Sequence, residues 1–199
     1  VMDRLKKVAS AREKTKTLAV RAQAETPMLF SQIRQPNKDY ILIPETSSSS
    51  RKYIPIGFMN MNVIASNSTL VASGANMYHF GVLTSNVHMA WMRTVAGRLK
   101  SDYRYSPSVY NNFPWPTPNE AQKAKIEKTA QAILDARALY PDSSLADLYD
   151  ELTMPKELRE AHRANDRAVM EAYGFDVKTM TESTCVAELM KLYQKLVEK

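Results

Sequence analysis

The sequence predicts an α+β protein in which a mixed small-sheet domain with a long helix is followed by a small all-helical bundle. Between residues 27 and 116, short β-branched and aromatic runs are separated by Pro, Ser, Asn and Gly, as in strands joined by turns. From residue 117 onward, apolar residues recur at helical spacing. We therefore expect an N-terminal helical connector (1–26), a sheet-containing domain (27–116) and a C-terminal helical domain (117–199).

The first two parts contain one predicted helix and then several short strands. A weakly amphipathic helix is expected from Met2 to about Ala24, before Pro27. Strands are expected within residues 40–59, which the flexible serine loop Ser47–Ser50 divides, and in three later runs: 62–65, 69–72 and 77–83.

A long helix is expected next, capped by Asn86 and running through VHMAWMRTVAGRLK to Lys100. Further on, Thr117 and Glu120 have the spacing of a capping box around Pro118, which predicts a helix up to Tyr140. A short helix near 145–152, a longer one from 155 to 174 and a last one over about 186–197 complete the predicted bundle.

Composition limits the class of protein. Apolar residues make up 44% and charged residues 24%, which is typical of a globular chain. The sequence has no run of 18 apolar residues and no signal-peptide core, so no membrane partner is expected. The single cysteine, Cys185, fits a cytoplasmic location. Because the chain starts at Val1 within helical sequence, we expect a fragment of a longer protein.

The net charge of +6 is unevenly distributed. Residues 1–26, 27–118 and 119–199 carry net charges of +4, +5 and −3. An anionic partner such as nucleic acid would therefore meet the first 118 residues.

No catalytic, cofactor-binding or metal-binding residue is predicted. The segment NFPWP (112–116) is reminiscent of the Asn-Pro-Pro-aromatic loop of amino methyltransferases, but Phe113 separates the asparagine from the first proline. We interpret it as a stiff strap with packed Phe113 and Trp115. The three histidines His79, His88 and His162 lack ligand spacing and are expected to be structural.

The strongest candidate site is polar and basic. Arginine and asparagine can read base edges, whereas lysine neutralises phosphate and tyrosine can stack or bond to phosphate. The candidate DNA-binding residues are Arg51, Lys52, Ser66, Asn67, Arg93, Arg98, Lys100, Arg104 and Tyr105. A solvated helix face with tyrosine packed below it is the alternative interpretation.

Several long segments resemble the C-terminal part of MmeI-like DNA methyltransferases, which are type IIL restriction-modification proteins. The resemblance covers about residues 28–175 and includes RKYIPIGFMNMNVIASNS, MYHFGVLTSNVHMAWMRTVAGRLKSDYRYS, YNNFPWP and the segment from ILDARALYPDSS to MEAYGF. The layout is also similar to half of a type I specificity subunit.

The resemblance implies a target recognition domain (27–116) and a helical tail (117–199) that recognise double-stranded DNA and pack on a methyltransferase core of the same polypeptide. That core would use S-adenosylmethionine to methylate adenine N6. Its Gly-rich cofactor motif and its catalytic motif do not occur in the 199 residues. The resemblance therefore implies sequence recognition without catalysis.

Two other functions stay open. The helical tail could dock protein partners while the basic front is ordinary solvated surface, or the chain could be an enzyme in its own right. Steeply salt-dependent DNA binding would distinguish DNA recognition from protein docking, because phosphate contacts release counterions.

Overall fold

The polar N-terminal segment folds as two short helices instead of the single predicted one. The computed structural model describes residues 1–30 and 34–198, and residues up to 35 form one compact unit. In it, α1 (Met2–Glu13) and α2 (Leu18–Arg21) are separated by residues that include the extended Thr17. The guanidinium of Arg12 donates to the carbonyl oxygens of Gln23, Thr26 and Leu29 at 2.6–2.9 Å, which holds the turns after α2 against α1.

The second compact unit starts at residue 36 and contains two small antiparallel sheets. In the first sheet, the central strand β1 (Tyr40–Pro44) pairs with β3 (Gly57–Met59) and β4 (Thr69–Ser73). In the second, β6 (Asp102–Arg104) lies between β2 (Thr46–Ser47) and β5 (Gly97–Leu99). The α+β class is confirmed.

Two of the predicted strands do not form. Residues 62–65 lie in an irregular loop, and residues 77–83 form the helix α3 (Met77–Leu83). The side chain of Asn76 accepts from the His79 backbone N–H, and the His79 ring lies 3.2 Å from the Asn76 backbone nitrogen. A short apolar run is typical of both a buried strand and a buried helix, so the capping asparagine was the informative residue.

The long helix is shorter than predicted. The helix α4 (Asn86–Val95) is capped by Ser85 rather than Asn86, and it ends at the extended Ala96. Residues 97–104, expected as helix end and loop, form the β5–β6 hairpin instead. Pairing with β2 stabilises this hairpin through contacts more than 50 residues apart in sequence, which local helical periodicity does not reveal.

The remaining helices are α5 (Pro107–Asn111), α6 (Glu120–Ala138), α7 (Leu145–Leu148), α8 (Lys156–Ala172) and α9 (Glu182–Val197). The capping box of α6 uses Asn119 and Gln122, not the predicted Thr117 and Glu120. Gly174 follows α8 with φ of +73°, as expected for a glycine that ends a helix.

The C-terminal helices share one core with the helices that precede them. The helix α6 packs on α8 and α3, while α9 packs on α4. Gly81 allows the close approach of α3 to α6, because a Cβ there would lie 2.6 Å from Ile126. The helical region therefore supports the segments that carry the two sheets.

The strap of residues 110–116 packs as predicted. Phe113 is 3% exposed and meets the rings of His88, Trp115 and Tyr173 edge-on. The Tyr173 hydroxyl donates to the Pro114 carbonyl oxygen at 2.8 Å, which ties the end of α8 to the strap. The segment is therefore a structural connector between the sheets and α6.

Candidate nucleic-acid interface

The β5–β6 hairpin carries three of the predicted DNA contacts. The guanidinium of Arg98 stacks 3.7 Å from the centroid of the Tyr103 ring and donates to the Ser101 carbonyl oxygen at 2.9 Å. Lys100 lies in the tight turn with φ of +56°, and Arg104 is exposed on β6 opposite Thr46. Since residues of a strand alternate between faces, Arg98 and Arg104 lie on opposite faces of the hairpin.

The serine loop lies beside this hairpin. The backbone N–H of Ser49 donates to a carboxylate oxygen of Asp102 at 3.4 Å. The Arg51 N–H then donates to the Ser48 carbonyl oxygen at 3.2 Å, which closes the loop just before Lys52. Arg51 is half-buried and Lys52 is exposed. The loop therefore brings two further cations to the side of the hairpin.

The turn at Ser66 and Asn67 lies near the same place. Both residues are exposed, and the Ser68 carbonyl oxygen accepts from the backbone N–H of Glu45 at 3.1 Å. The Glu45 carbonyl oxygen in turn accepts from the N–H of Tyr105, directly after β6. We define the hairpin surface as these seven residues: Arg51, Lys52, Ser66, Asn67, Arg98, Lys100 and Arg104.

Two sequence-predicted contacts lie elsewhere and require correction. Tyr105 is 2% exposed, and its hydroxyl lies 2.9 Å from Nε2 of His88, so its side chain belongs to the core. Arg93 forms a bidentate ion pair with Glu182 of α9, with N–O distances of 2.7 and 3.0 Å. Arg93 also donates to the Lys52 carbonyl oxygen. Its guanidinium therefore anchors α4, α9 and the segment after the serine loop to one another.

The hairpin surface has an excess of positive charge. In the part of the chain that the structure describes, the ion pairs involve Arg93, Lys125, Lys156 and Lys191, and none of the five cations of the hairpin surface. The acidic residues near them are fewer: Asp102 accepts from the serine loop, half-buried Glu45 precedes Thr46 opposite Arg104, and the buried Asp166 lies near Lys52. A surface of this kind can bind an anion chain and present arginines to base edges.

A buried polar network holds the segment that follows Lys52. The hydroxyl of Tyr53 donates to Oδ2 of Asp166 at 2.6 Å, and Oδ1 of Asp166 accepts from the Asn86 N–H at 2.8 Å. Burial raises the pKa of Asp166 to about 6, although both hydrogen bonds oppose this rise. Asp166 of α8 thus joins the start of α4 to the segment after the serine loop.

Arg137 of α6 holds the same segment from another side. Its Nη1 donates to the Ile56 carbonyl oxygen at 2.9 Å, while its Nε and Nη2 donate to the hydroxyl of Tyr149. That hydroxyl lies 2.6 Å from Nε2 of His162. Because arginine can only donate, the tyrosine proton points to His162, whose pKa burial lowers to about 3.

The histidines are structural, as predicted. His88 is fully buried, and its Nδ1 lies 2.9 Å from the Leu83 carbonyl oxygen, so Nδ1 carries the proton and Nε2 accepts from Tyr105. Burial lowers the pKa of His88 to about 4. His162 stacks on Tyr53 with ring centroids 4.2 Å apart, and His79 caps α3.

Sequence reasoning missed the residues of this network. Tyr53 bonds Asp166 from 113 residues away, Arg137 bonds Tyr149, and His162 contacts both tyrosines. One signal was available for Asp166, because it lies on the apolar face of α8 with Leu158, His162 and Val169. A carboxylate at such a position indicates a buried hydrogen-bonded role.

Neither a metal centre nor a membrane span occurs in residues 1–30 and 34–198. They bring no three His, Cys, Asp or Glu side chains together in a geometry that could hold a metal ion. None of their helices is both long and apolar enough to cross a membrane.

Two family models together cover the whole chain. Residues 1–117 match the model described as MmeI, target recognition domain, and residues 118–199 match MmeI, C-terminal domain. The chain therefore belongs to the MmeI family, and the resemblance read from the sequence is confirmed.

Two known proteins are similar to the full length of the chain. DNA methyltransferase A of Bacillus subtilis (strain 168) is 36% identical over 200 residues, and the chain covers 22% of it. The Type IIL restriction-modification enzyme MmeI, solved in complex with DNA, is 51% identical with a TM-score of 0.90, and the chain covers 26% of it. The chain thus spans about a quarter of these relatives.

Proposed function

We propose that this chain is the DNA-sequence recognition part of a site-specific restriction-modification methyltransferase, and that the hairpin surface contacts duplex DNA. The observation that carries the proposal is one exposed hairpin with Arg98, Lys100 and Arg104, in a chain that belongs to the MmeI family. The MmeI structure that the chain matches is a complex with DNA, which supports the same partner here.

The hairpin forms the exposed edge of the three-stranded sheet β2-β6-β5. The major groove of B-form DNA admits a two-stranded β-element, and Arg98 and Arg104 are exposed on this one. Arg98 and Arg104 are the base-reading candidates, and Lys52 and Lys100 are the phosphate-binding candidates. Arg51, Ser66 and Asn67 border the ribbon. Arg93 and Tyr105 act as supports behind it.

Methyl transfer belongs to the parent protein. The matched relatives are a DNA methyltransferase and a restriction-modification enzyme, which supports a parent that methylates DNA. The use of S-adenosylmethionine and the adenine N6 target are what the sequence resemblance implies. The 199 residues contain no Gly-rich cofactor motif, so we assign cofactor binding to a methyltransferase core outside this chain.

The N-terminal unit supports such a core as a partner. No residue of α1 or α2 is buried, and Leu18 and Phe30 are 75% and 78% exposed. Exposed apolar side chains like these are available to pack against another surface. We assign that surface to the methyltransferase core of the same polypeptide.

The proposed roles of the hairpin residues are tested by separate substitutions. Arg98→Ala or Arg104→Ala should cost about 1–3 kcal/mol of binding free energy and relax specificity at one base pair. Lys100→Ala should weaken binding to all sequences alike. It should also lower the slope of log K against log salt by about 0.9, which is the contribution of one phosphate contact. Titrations of labelled duplexes at two salt concentrations measure both effects. Unchanged affinity in all three variants would contradict the proposal.

A further inference from the structure

The exposed surface of α8 is divided by charge. At about 100° per residue, Arg163 and Arg167 lie about 40° apart on the side of the helix next to Asp166. The acidic residues lie on the other exposed side, where Glu171 pairs with Lys125 of α6 and Glu157 accepts from the hydroxyl of Tyr140. Arg163 and Arg167 are both exposed.

Lys52 of the hairpin surface lies beside these two arginines. Tyr53 sits directly on α8, with its hydroxyl on Asp166 and its ring stacked on His162. The Nζ of Lys52 is 5.5 Å from the centroid of that ring. Burial raises the pKa of Asp166, and the charges of Lys52 and Arg167 both oppose the rise. Lys52 and Arg167 therefore lie close to the buried carboxylate of Asp166, and Arg163 lies close to the hydroxyl of Tyr53, where its charge acts to lower the tyrosine pKa.

The three cations of this basic group form no ion pair among residues 1–30 and 34–198, and the nearest exposed carboxylates of α8, on Glu160 and Glu171, pair with Lys156 and Lys125 instead. Neither Arg163 nor Arg167 forms an ion pair there, and neither does Lys52. Both oxygens of Asp166 already accept hydrogen bonds, from Tyr53 and from the Asn86 N–H. The three cations are thus free to bind an anion from solution.

We infer that Arg163 and Arg167 of α8 extend the hairpin surface into the C-terminal helical region and, with Lys52, bind the phosphate backbone of the DNA. The path between the two sites is continuous, because the serine loop contacts the hairpin at Asp102 and leads through Arg51 to Lys52. Such contacts fix the position of the protein on the duplex without reading bases. The inference rests on the proposed function.

The test removes the two charges and compares the salt dependence of binding. Arg163→Gln with Arg167→Gln should lower the slope of log K against log salt by about 1.8, since each phosphate contact contributes about 0.9. The loss of affinity should be equal for all duplex sequences. The control is Lys128→Gln with Lys195→Gln, which removes two exposed charges on α6 and α9 and should leave the slope unchanged.

The possible results separate this inference from the proposed function. If the unsubstituted chain binds duplex in a salt-dependent way and the arginine variant keeps its slope, the inference is wrong and the proposed function stands. A change of specificity at one base pair would also overturn it, because it would indicate base reading. If the unsubstituted chain binds no duplex at any salt concentration, both are wrong. Equal urea denaturation midpoints for the double arginine variant and the double lysine control would exclude a folding defect.

Discussion

Acidification should destabilise this protein through His162, and the size of the effect follows from its burial. The ring is fully buried between Tyr53 and Tyr149. Burial lowers its pKa from 6.5 to about 3, with the charge of Arg137 as a further cause. Between these two values the unfolded chain binds a proton that the folded chain excludes. The free energy of unfolding should therefore fall by about 3 kcal/mol from pH 7 to pH 4.

Two other buried groups change the total. The pKa of His88 is lowered to about 4, which adds a loss of about 3 kcal/mol over the same interval. Asp166 acts in the opposite direction, because its pKa is raised from 3.8 to about 6 and the folded state holds the extra proton. Binding of that proton offsets about 2 kcal/mol of the loss in the free energy of unfolding. The three groups together therefore predict that the free energy of unfolding falls by about 4 kcal/mol from pH 7 to pH 4.

Urea denaturation at pH 7 and pH 4, followed by tryptophan fluorescence, measures the difference. The free energy of unfolding of the His162→Gln variant should fall by about 3 kcal/mol less between pH 7 and pH 4 than that of the unsubstituted protein. This difference should hold even if the variant is less stable at pH 7. Asp166→Asn should lose about 2 kcal/mol more, because the offset is removed. Identical acid losses in all three proteins would refute the assignment of these pKa shifts to burial.

Three further substitutions test the packing that supports the hairpin surface, each by urea denaturation at pH 7. Gly81→Ala should destabilise by about 1–3 kcal/mol, since its Cβ would lie 2.6 Å from Ile126; no loss would mean that α3 and α6 separate easily. Lys100→Gly should stabilise by up to about 1 kcal/mol because it removes the cost of φ at +56°, and a loss would indicate a different turn. Glu182→Gln should cost about 0–1 kcal/mol through its half-exposed pair with Arg93, and a loss above 3 kcal/mol would indicate a buried role.

An element was predicted well from the sequence when it was long and when its apolar residues recurred at regular spacing. The helices α6 and α8 were predicted close to their observed bounds, because apolar residues repeat along them at helical spacing, whereas α9 begins about one turn before the predicted start. The run at 77–83 was assigned the wrong structure, since a seven-residue run with five apolar residues fits strand and helix alike. The hairpin at 97–104 depends on its pairing with β2, which is a non-local contact.

The candidate site was predicted only in part for the same reason. Clustering in sequence grouped Arg98, Lys100 and Arg104, and the structure carries all three within seven residues on one hairpin; their contact with DNA stays a prediction. Clustering in sequence could not show that Arg93 has a different role, because its carboxylate partner Glu182 lies 89 residues away. Tyr105 was misassigned because a tyrosine beside arginines is equally compatible with a surface and with a core.

The C-terminal helices hold the segment of residues 52–56 in place. Asp166, Arg137 and Glu182 lie on three different helices, and the segment 52–56 is held by the first two directly and by Glu182 through Arg93. That segment begins at the phosphate-binding candidate Lys52. The helical region therefore positions one side of the proposed interface, in addition to any DNA contact of its own.

The most direct test of DNA-sequence recognition is selection from a randomised duplex pool. The chain is incubated with the pool at two salt concentrations, binding is followed by fluorescence anisotropy, and the bound duplexes are sequenced. Enrichment of one short motif, with affinity that falls steeply as salt is added, is the predicted result. Absence of binding at both salt concentrations, or binding that is insensitive to salt and enriches no motif, would contradict the proposed function.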